Sequence, residues 1–103
     1  MNRGEVRWYR FSAPDKKRPV LVLTRDAILG HLNGVTVAPI TSTVRDIPSE
    51  VVLGAGDGMA RECAVNLDHV QTVARSRLGS VVTTLTPHRM REVRAALLFA
   101  LGW

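Results

Sequence analysis

The sequence predicts a mainly β domain: a small, strongly bent sheet or partial barrel of five to six short strands with one C-terminal helix. Three observations carry this. Runs of β-branched residues and leucine recur as far as Thr84, clusters of Gly, Pro, Asp and Ser punctuate them, and helical spacing of apolar residues occurs only after Thr86-Pro87. The 103 residues, 46% hydrophobic and 22% charged, suit one domain over residues 1–103, whose core can form without a metal or disulfide staple.

Glu5 to Phe11 sets Val6, Trp8, Tyr9 and Phe11 among charges, an imperfect alternation that predicts a half-buried first strand. Ser12 to Arg18 reads as a loop, because Pro14 and Asp15 break regular structure and Lys16, Lys17 and Arg18 resist burial. Pro19 to Thr24, PVLVLT, predicts a central strand entered through its proline. Arg25 to Gly34 crosses over, with room for one helical turn. Val35 to Ile40 predicts a third strand in which Pro39, lacking an amide donor, belongs at an edge, a bulge or the exit. Ile47 to Leu53 predicts a fourth.

GAGDG at Gly54 to Gly58 is a turn between antiparallel strands, not a phosphate-binding loop, because no helix start with Lys-Ser/Thr follows it. Glu62 to Val73 predicts a fifth strand running into a sixth or a bend, and Val81 to Thr84 a short final strand. In the closing helix Thr86 can cap, Pro87 fits the first turn, Met90, Val93, Leu97, Ala100 and Leu101 recur at helical spacing, and Gly102 can terminate.

The net charge of +5 is unevenly placed: residues 1–25 hold seven bases and two acids, and the remainder seven of each. A neutral body with a basic end creates a local field for a polyanion, of which nucleic acid is the commonest, although a solvated basic segment has the same composition. Cys63 stands alone, so no internal disulfide is possible, and no apolar run approaches the roughly 20 residues of a membrane span. A cytoplasmic location is expected.

No His, Cys or carboxylate pair has metal-ligand spacing, so neither metal nor cofactor is expected, and no G-x-S-x-G elbow appears. Cys63 lies within an apolar strand pattern and reads as a buried structural thiol. His69, between Asp68 and Gln71 on a predicted strand, reads as a structural imidazole or a proton-transfer group. What remains is Arg18 beside a basic loop and the hydroxyls of Thr41, Ser42 and Thr43 after a strand. Cleavage of RNA through its own 2'-hydroxyl suits such groups, since it needs orientation, proton transfer and stabilisation of a phosphorane but no protein nucleophile. A solvated arginine and strand-end threonines are the plain alternative.

The segments RGEVRW (Arg3 to Trp8), KKRPVLVLT (Lys16 to Thr24), VTVAPITST (Val35 to Thr43), AVNLDHVQTV (Ala64 to Val73) and RLG (Arg77 to Gly79) occur in one order along nearly the whole chain. In these segments the sequence resembles the MazF/PemK (Kid-like) toxins of bacterial type II toxin–antitoxin systems. The resemblance implies a homodimer of SH3-like partial barrels acting as a metal-independent, sequence-selective endoribonuclease of the mRNA-interferase type on single-stranded RNA. It would leave 2',3'-cyclic phosphate and 5'-hydroxyl ends and be held in check by an acidic antitoxin. The family's catalytic arginine falls on Arg18 and its threonine on Thr41, with Ser42 and Thr43 along the RNA groove. Lys16, Lys17, Arg45, His69 and Gln71 complete the expected RNA-contacting set. The loop Ser12 to Lys17 is shorter than is usual in the family and lacks its common Asp-Leu, so base preference does not carry over.

Two other functions fit the same chain. A gyrase-poisoning toxin of the same fold would use its C-terminal residues, here ending in Trp103, but has no need of Arg18 with Thr41. An RNA-binding barrel without catalysis would use the same basic segment.

Overall fold

The computed structural model describes residues 1–11 and 16–103, so Ser12 to Asp15, most of the predicted first loop, lie outside the described residues. The described chain folds as β1 (Glu5–Arg10), β2 (Lys17–Val22), α1 (Asp26–Leu29), β3 (Gly34–Thr41), β4 (Glu50–Leu53), β5 (Cys63–Asn66), β6 (Gln71–Ala74), β7 (Leu78–Thr84) and α2 (Pro87–Ala100). All pairings are antiparallel. The mainly β class with a terminal helix is as expected, with seven strands in place of five to six.

The strands run β4-β5-β3-β2-β1-β7, with β6 also on β3. Eight-residue β3 therefore shares one edge between two partners: Gly34 to Val37 pair with β6, and Ile40 and Thr41 with β5. Pro39 sits between these stretches, opposite Val20 of β2. Across that opposite edge Leu23 donates its N–H to the Thr36 carbonyl. By the alternation of an antiparallel ladder, Pro39 turns its main chain away from β2 and towards the split edge. Its missing N–H thus falls where β5 leaves β3 through a 3-10 turn at Leu67–His69, a local edge within a central strand. The fifth strand predicted within Glu62 to Val73 runs through that turn into a sixth, as expected, but His69 lies in the turn rather than on a strand.

Both faces of β2 and β3 are covered, which explains their unbroken apolar runs. Val20, Val22, Val35 and Val37 pack with Leu29 and Val73 on one face, while Leu21, Ala38 and Ile40 pack on the other with Val65, Leu67, Val93 and Ala96. β2 begins at Lys17, so Lys17 and Arg18 stand on a strand and not in the loop predicted for them. β4 begins only at Glu50, because Ile47 to Ser49 are spent in a turn. β7 is longer than predicted, and its register against β1 slips twice. Val82 is one extra residue and the stretch around Gly79 holds another, which bends this edge.

Helix α2 has its predicted ends. Thr86 Oγ1 accepts from the Arg89 N–H, Pro87 occupies the first turn, and Gly102 at φ 81° closes the helix, donating to the Phe99 carbonyl while the Trp103 N–H reaches Leu98. None of the described helices is long and apolar enough to cross a membrane. The GAGDG segment, a 3-10 turn joining β4 to β5, ties α2 to the sheet. Asp57 accepts from Arg89 Nε at 2.8 Å and from its Nη2 at 3.1 Å, and also from the Gly54 N–H. Thr83 donates to the Asp57 carbonyl. Gly58 has φ 88°, and a Cβ there would collide with the Thr83 side chain, so glycine is required.

The Arg89 guanidinium, outweighing some loss of hydration, holds the Asp57 carboxyl below its ordinary value. A carboxyl depressed in the folded state contributes stability above its unfolded pKa, and loses it as pH falls through the folded value. Asp57→Asn is expected to cost about 1–3 kcal/mol at neutral pH. The gap between variant and parent should narrow below about pH 4. Urea titrations at pH 7 and pH 3 read this, and an equal gap at both would detach the pair from stability.

Candidate active site

The strand arrangement opens a cavity of about 500 Å³ beside Ile40, Met59 and Cys63 of the core that packs under α2. Its rim brings Lys16, Lys17 and Arg18 from the start of β2 together with Thr41 and Ser42 from the end of β3. They meet because β2 and β3 are antiparallel neighbours, in register at Val20 and Pro39, so the start of one lies beside the end of the other. The three cations are exposed, and none forms an ion pair with a carboxylate among the described residues. Positive charge at the mouth is therefore left for a ligand.

Thr41 is half-buried, and its Oγ1 accepts the Thr43 N–H at 3.0 Å. One lone pair is thereby committed and the hydroxyl is oriented, leaving its own hydrogen to donate. Thr43 stands beside the cavity through this bond but does not line it. The chain beyond is fixed by Glu50, whose fully buried carboxylate accepts from the N–H groups of Arg45 and Asp46 and from Arg45 Nε at 3.1 Å. That grip holds Asp46 at φ 54°.

Of the residues singled out in the sequence, Lys16, Lys17, Arg18, Thr41 and Ser42 share this cavity. Arg45 is turned to Glu50 and does not line it. His69 and Gln71 also lie outside the lining, His69 in the turn after β5 and Gln71 paired with Val37. Cys63 is buried, as expected, but its side lines the cavity floor. Burial pushes its thiol up, with Asp57 and Glu62 adding to the effect, so it is a poor nucleophile at neutral pH.

Sequence reasoning missed three contributors. Trp8 lines one side, with Lys17 Nζ over its ring at 5.2 Å. Arg61 adds a fourth cation from the segment before β5, and Met59 adds a buried thioether. Trp8 could have been found, since it stands opposite Pro19 one residue from Arg18. Arg61 and Met59 follow an irregular turn and carry no periodic signal. Among the described residues no three His, Cys, Asp or Glu side chains gather as a metal site.

Comparison with known proteins places the chain in a family. The family described as PemK-like, MazF-like toxin of type II toxin-antitoxin system matches residues 2–101. Probable endoribonuclease MazF5 of Mycobacterium tuberculosis is 45% identical over 96 residues, covering 92% of this chain and 87% of the relative. Endoribonuclease MazF3 of the same species is 40% identical, covering 86% and 88%. Among solved structures, Mycobacterium tuberculosis toxin MazF-mt6 superposes with a TM-score of 0.86 at 34% identity, covering 94% of this chain and 95% of the other. An endoribonuclease in complex with its cognate antitoxin from a mycobacterial species gives 0.85 at 31%, covering 99% and 95%. With a match that spans nearly its whole length and a cavity built from the same segments, the chain belongs to the PemK-like, MazF-like toxin family of type II toxin–antitoxin systems.

Proposed function

We propose that this toxin is an endoribonuclease that cuts single-stranded RNA at the cavity mouth by attack of the substrate's own 2'-hydroxyl. The observation that carries the proposal is the meeting of Arg18 and Thr41 at one basic rim, in a chain whose relatives are named endoribonucleases. The 2'-oxygen loses its proton and bonds to phosphorus, the bond to the 5'-oxygen breaks, and that oxygen takes up a proton. A 2',3'-cyclic phosphate and a 5'-hydroxyl result. Arg18 offers a planar fork of donors to the oxygens on which charge develops, and Thr41 donates its hydroxyl hydrogen to a phosphate oxygen or accepts from the 2'-hydroxyl. Lys16 and Lys17 hold flanking phosphates. The rim gives no reason for a gyrase poison, and a mere RNA-binding barrel has no use for an oriented hydroxyl beside a guanidinium.

Arg18→Ala should slow single-turnover cleavage roughly 100-fold to 1,000-fold, and Arg18→Lys should restore part of the loss. Thr41→Val should be inactive with unchanged circular dichroism, and Thr41→Ser milder. No histidine lines the cavity among the described residues, so the rate should show no inflection near pH 6.5. Near-parental rates in Arg18→Ala or Thr41→Val would move the site elsewhere, and an inflection removed by His69→Ala would give proton transfer to His69.

Two partners complete the proposal. The first is a second copy of the chain. Leu97 to Leu101 are apolar on several faces; Val93 and Ala96 are buried, but Phe99 and Leu101 remain 58% and 63% exposed. Leu97 and Leu101 also line a groove with Ile28, Leu32 and Val70, while Phe99 lines another beside β4, apolar surface that a second subunit would cover. The second is an antitoxin whose acidic tail occupies the basic rim as a phosphate mimic. Light scattering at micromolar concentration should give a dimer, and a stable active monomer would refute it. Antitoxin should compete with RNA, whose affinity should fall with salt at a log–log slope of roughly −2 to −3 for three or four phosphates. Reversing Lys16 and Lys17 to glutamate should weaken both ligands, whereas weakened RNA beside unchanged antitoxin would place the antitoxin on another surface.

A further inference from the structure

Two unfavourable features meet in the segment between β3 and β4. Asp46, at φ 54°, is the one non-glycine residue at positive φ among the described residues, and the Glu50 carboxylate is fully buried. A left-handed residue with a side chain is strained, and a buried carboxylate loses its hydration unless donors replace it. Each answers the other. Glu50 Oε1 accepts the N–H groups of Arg45 at 3.0 Å and Asp46 at 3.1 Å, while its Oε2 accepts Arg45 Nε at 3.1 Å. Stability alone does not call for this arrangement, because Arg45 and Asp46 are exposed and water could reach their amides. An apolar residue, like the neighbouring Val51 and Leu53 of β4, is often as good in such a place as a buried charge. Strain held by a buried ionised group one turn from a reacting centre points to function.

Resting on the RNA-cleaving reading above, we infer that Glu50 is a positioning residue for Thr41: its grip on the turn presents the Thr43 N–H to Thr41 Oγ1 and so sets the direction of the hydroxyl. The span is short. Thr41 is anchored by its pairing with Ala64 of β5, and Glu50 by its pairing with Asn66 of the same strand. The Leu67 N–H bond to the Ser49 carbonyl secures the same end. Only Ser42, Thr43 and Val44 then separate Thr41 from the gripped Arg45. Three residues between two fixed points have few ways to run, and this path puts the Thr43 nitrogen 3.0 Å from Thr41 Oγ1. Released at Arg45, the exposed Ser42 and Thr43 would leave that bond to compete with water, and the hydroxyl would lose its single direction. Glu50 does not line the cavity, so it acts through the turn and not on the substrate.

The experiment separates positioning from support of the fold. Full-length Glu50→Ala, Glu50→Gln and Thr43→Pro are compared with the parent by urea titration and by affinity for a 2'-O-methyl RNA oligomer, which cannot be cleaved through its 2'-oxygen. The single-turnover rate on natural RNA is then read at saturation. Glu50→Ala should lower that rate roughly 10-fold to 100-fold while affinity for the uncleavable oligomer stays near parental, so the loss falls on kcat and not on KM. Glu50→Gln keeps Oε1 for the two backbone N–H groups, and the Arg45 side chain, already 51% exposed, can turn to water. It should restore most of the rate even where urea shows it less stable than the parent. Thr43→Pro deletes the N–H that Thr41 accepts, on an exposed turn outside the core. It should slow saturated cleavage by a comparable factor, and adding Glu50→Ala to it should cost little more.

A parental saturated rate in folded Glu50→Ala or in Thr43→Pro, a loss confined to affinity, losses that multiply in the double variant, or Glu50→Gln as slow as Glu50→Ala would overturn the positioning role. Cleavage at Arg18 and Thr41 would stand in each case. Thr43→Pro carries the test where Glu50→Ala does not fold. A parent that cuts no RNA would remove the cleavage reading itself, and the positioning role with it.

Discussion

A missing hydrogen bond organises this structure. Pro39 cannot donate to the strand beside it, and it stands where β3 passes from one partner to the other along its split edge. A uniform ladder would keep β5 and β6 in line; instead the chain leaves the sheet through the turn at Leu67–His69 and returns to pair with the other half of β3. The sheet therefore curls, and β4 and β5 fold over one face of β2 and β3 while α2 packs alongside. Thr41, two residues beyond Pro39, lies at the open end of that curl beside the start of β2. Pro39 thus stands where the fold divides, two residues from the site.

Charge is divided between folding and function along the same lines. The described acids are largely committed to structure: Asp57 to Arg89, Glu50 to the turn after Thr41, Asp68 to the Ser49 hydroxyl, Glu5 to Arg7 and Asp26 to the Arg3 N–H. Among the described residues, four cations at the cavity mouth have no such partner, Lys16, Lys17, Arg18 and Arg61. The overall excess of five positive charges is modest, but its concentration at the mouth of a low-dielectric pit focuses the field on one place.

Much of the fold was legible because it obeys local rules. PVLVLT reads as a strand buried on both faces, and Thr86-Pro87 with Gly102 marks both ends of α2. What escaped was set by tertiary constraint. β7 begins at Leu78 and gains its length through two register slips that no periodicity reveals. Lys17 and Arg18 join β2 because Arg10 and Tyr9 stand opposite them, although their charge suggested a loop. For the candidate site, hydroxyls after a strand and bases before another were visible as chemistry, and their meeting followed from the pairing of β2 and β3. Arg45 and His69 looked similar in sequence, yet Glu50 takes the first and the turn after β5 carries the second away from the lining. Arg61 needed the three-dimensional cavity to be noticed, and Trp8 only the pairing of β1 with β2.

In the proposed reaction the substrate supplies its own nucleophile at a cavity whose protein groups only orient and stabilise. The most direct measurement is end-group analysis of a defined single-stranded RNA cleaved by the purified protein in excess chelator, beside the same RNA with one 2'-deoxyribose at the cleavage position. Discrete fragments with 2',3'-cyclic phosphate and 5'-hydroxyl ends are expected, with no cut at the deoxyribose. Cleavage that persists there, needs added metal or leaves a 5'-phosphate would contradict it.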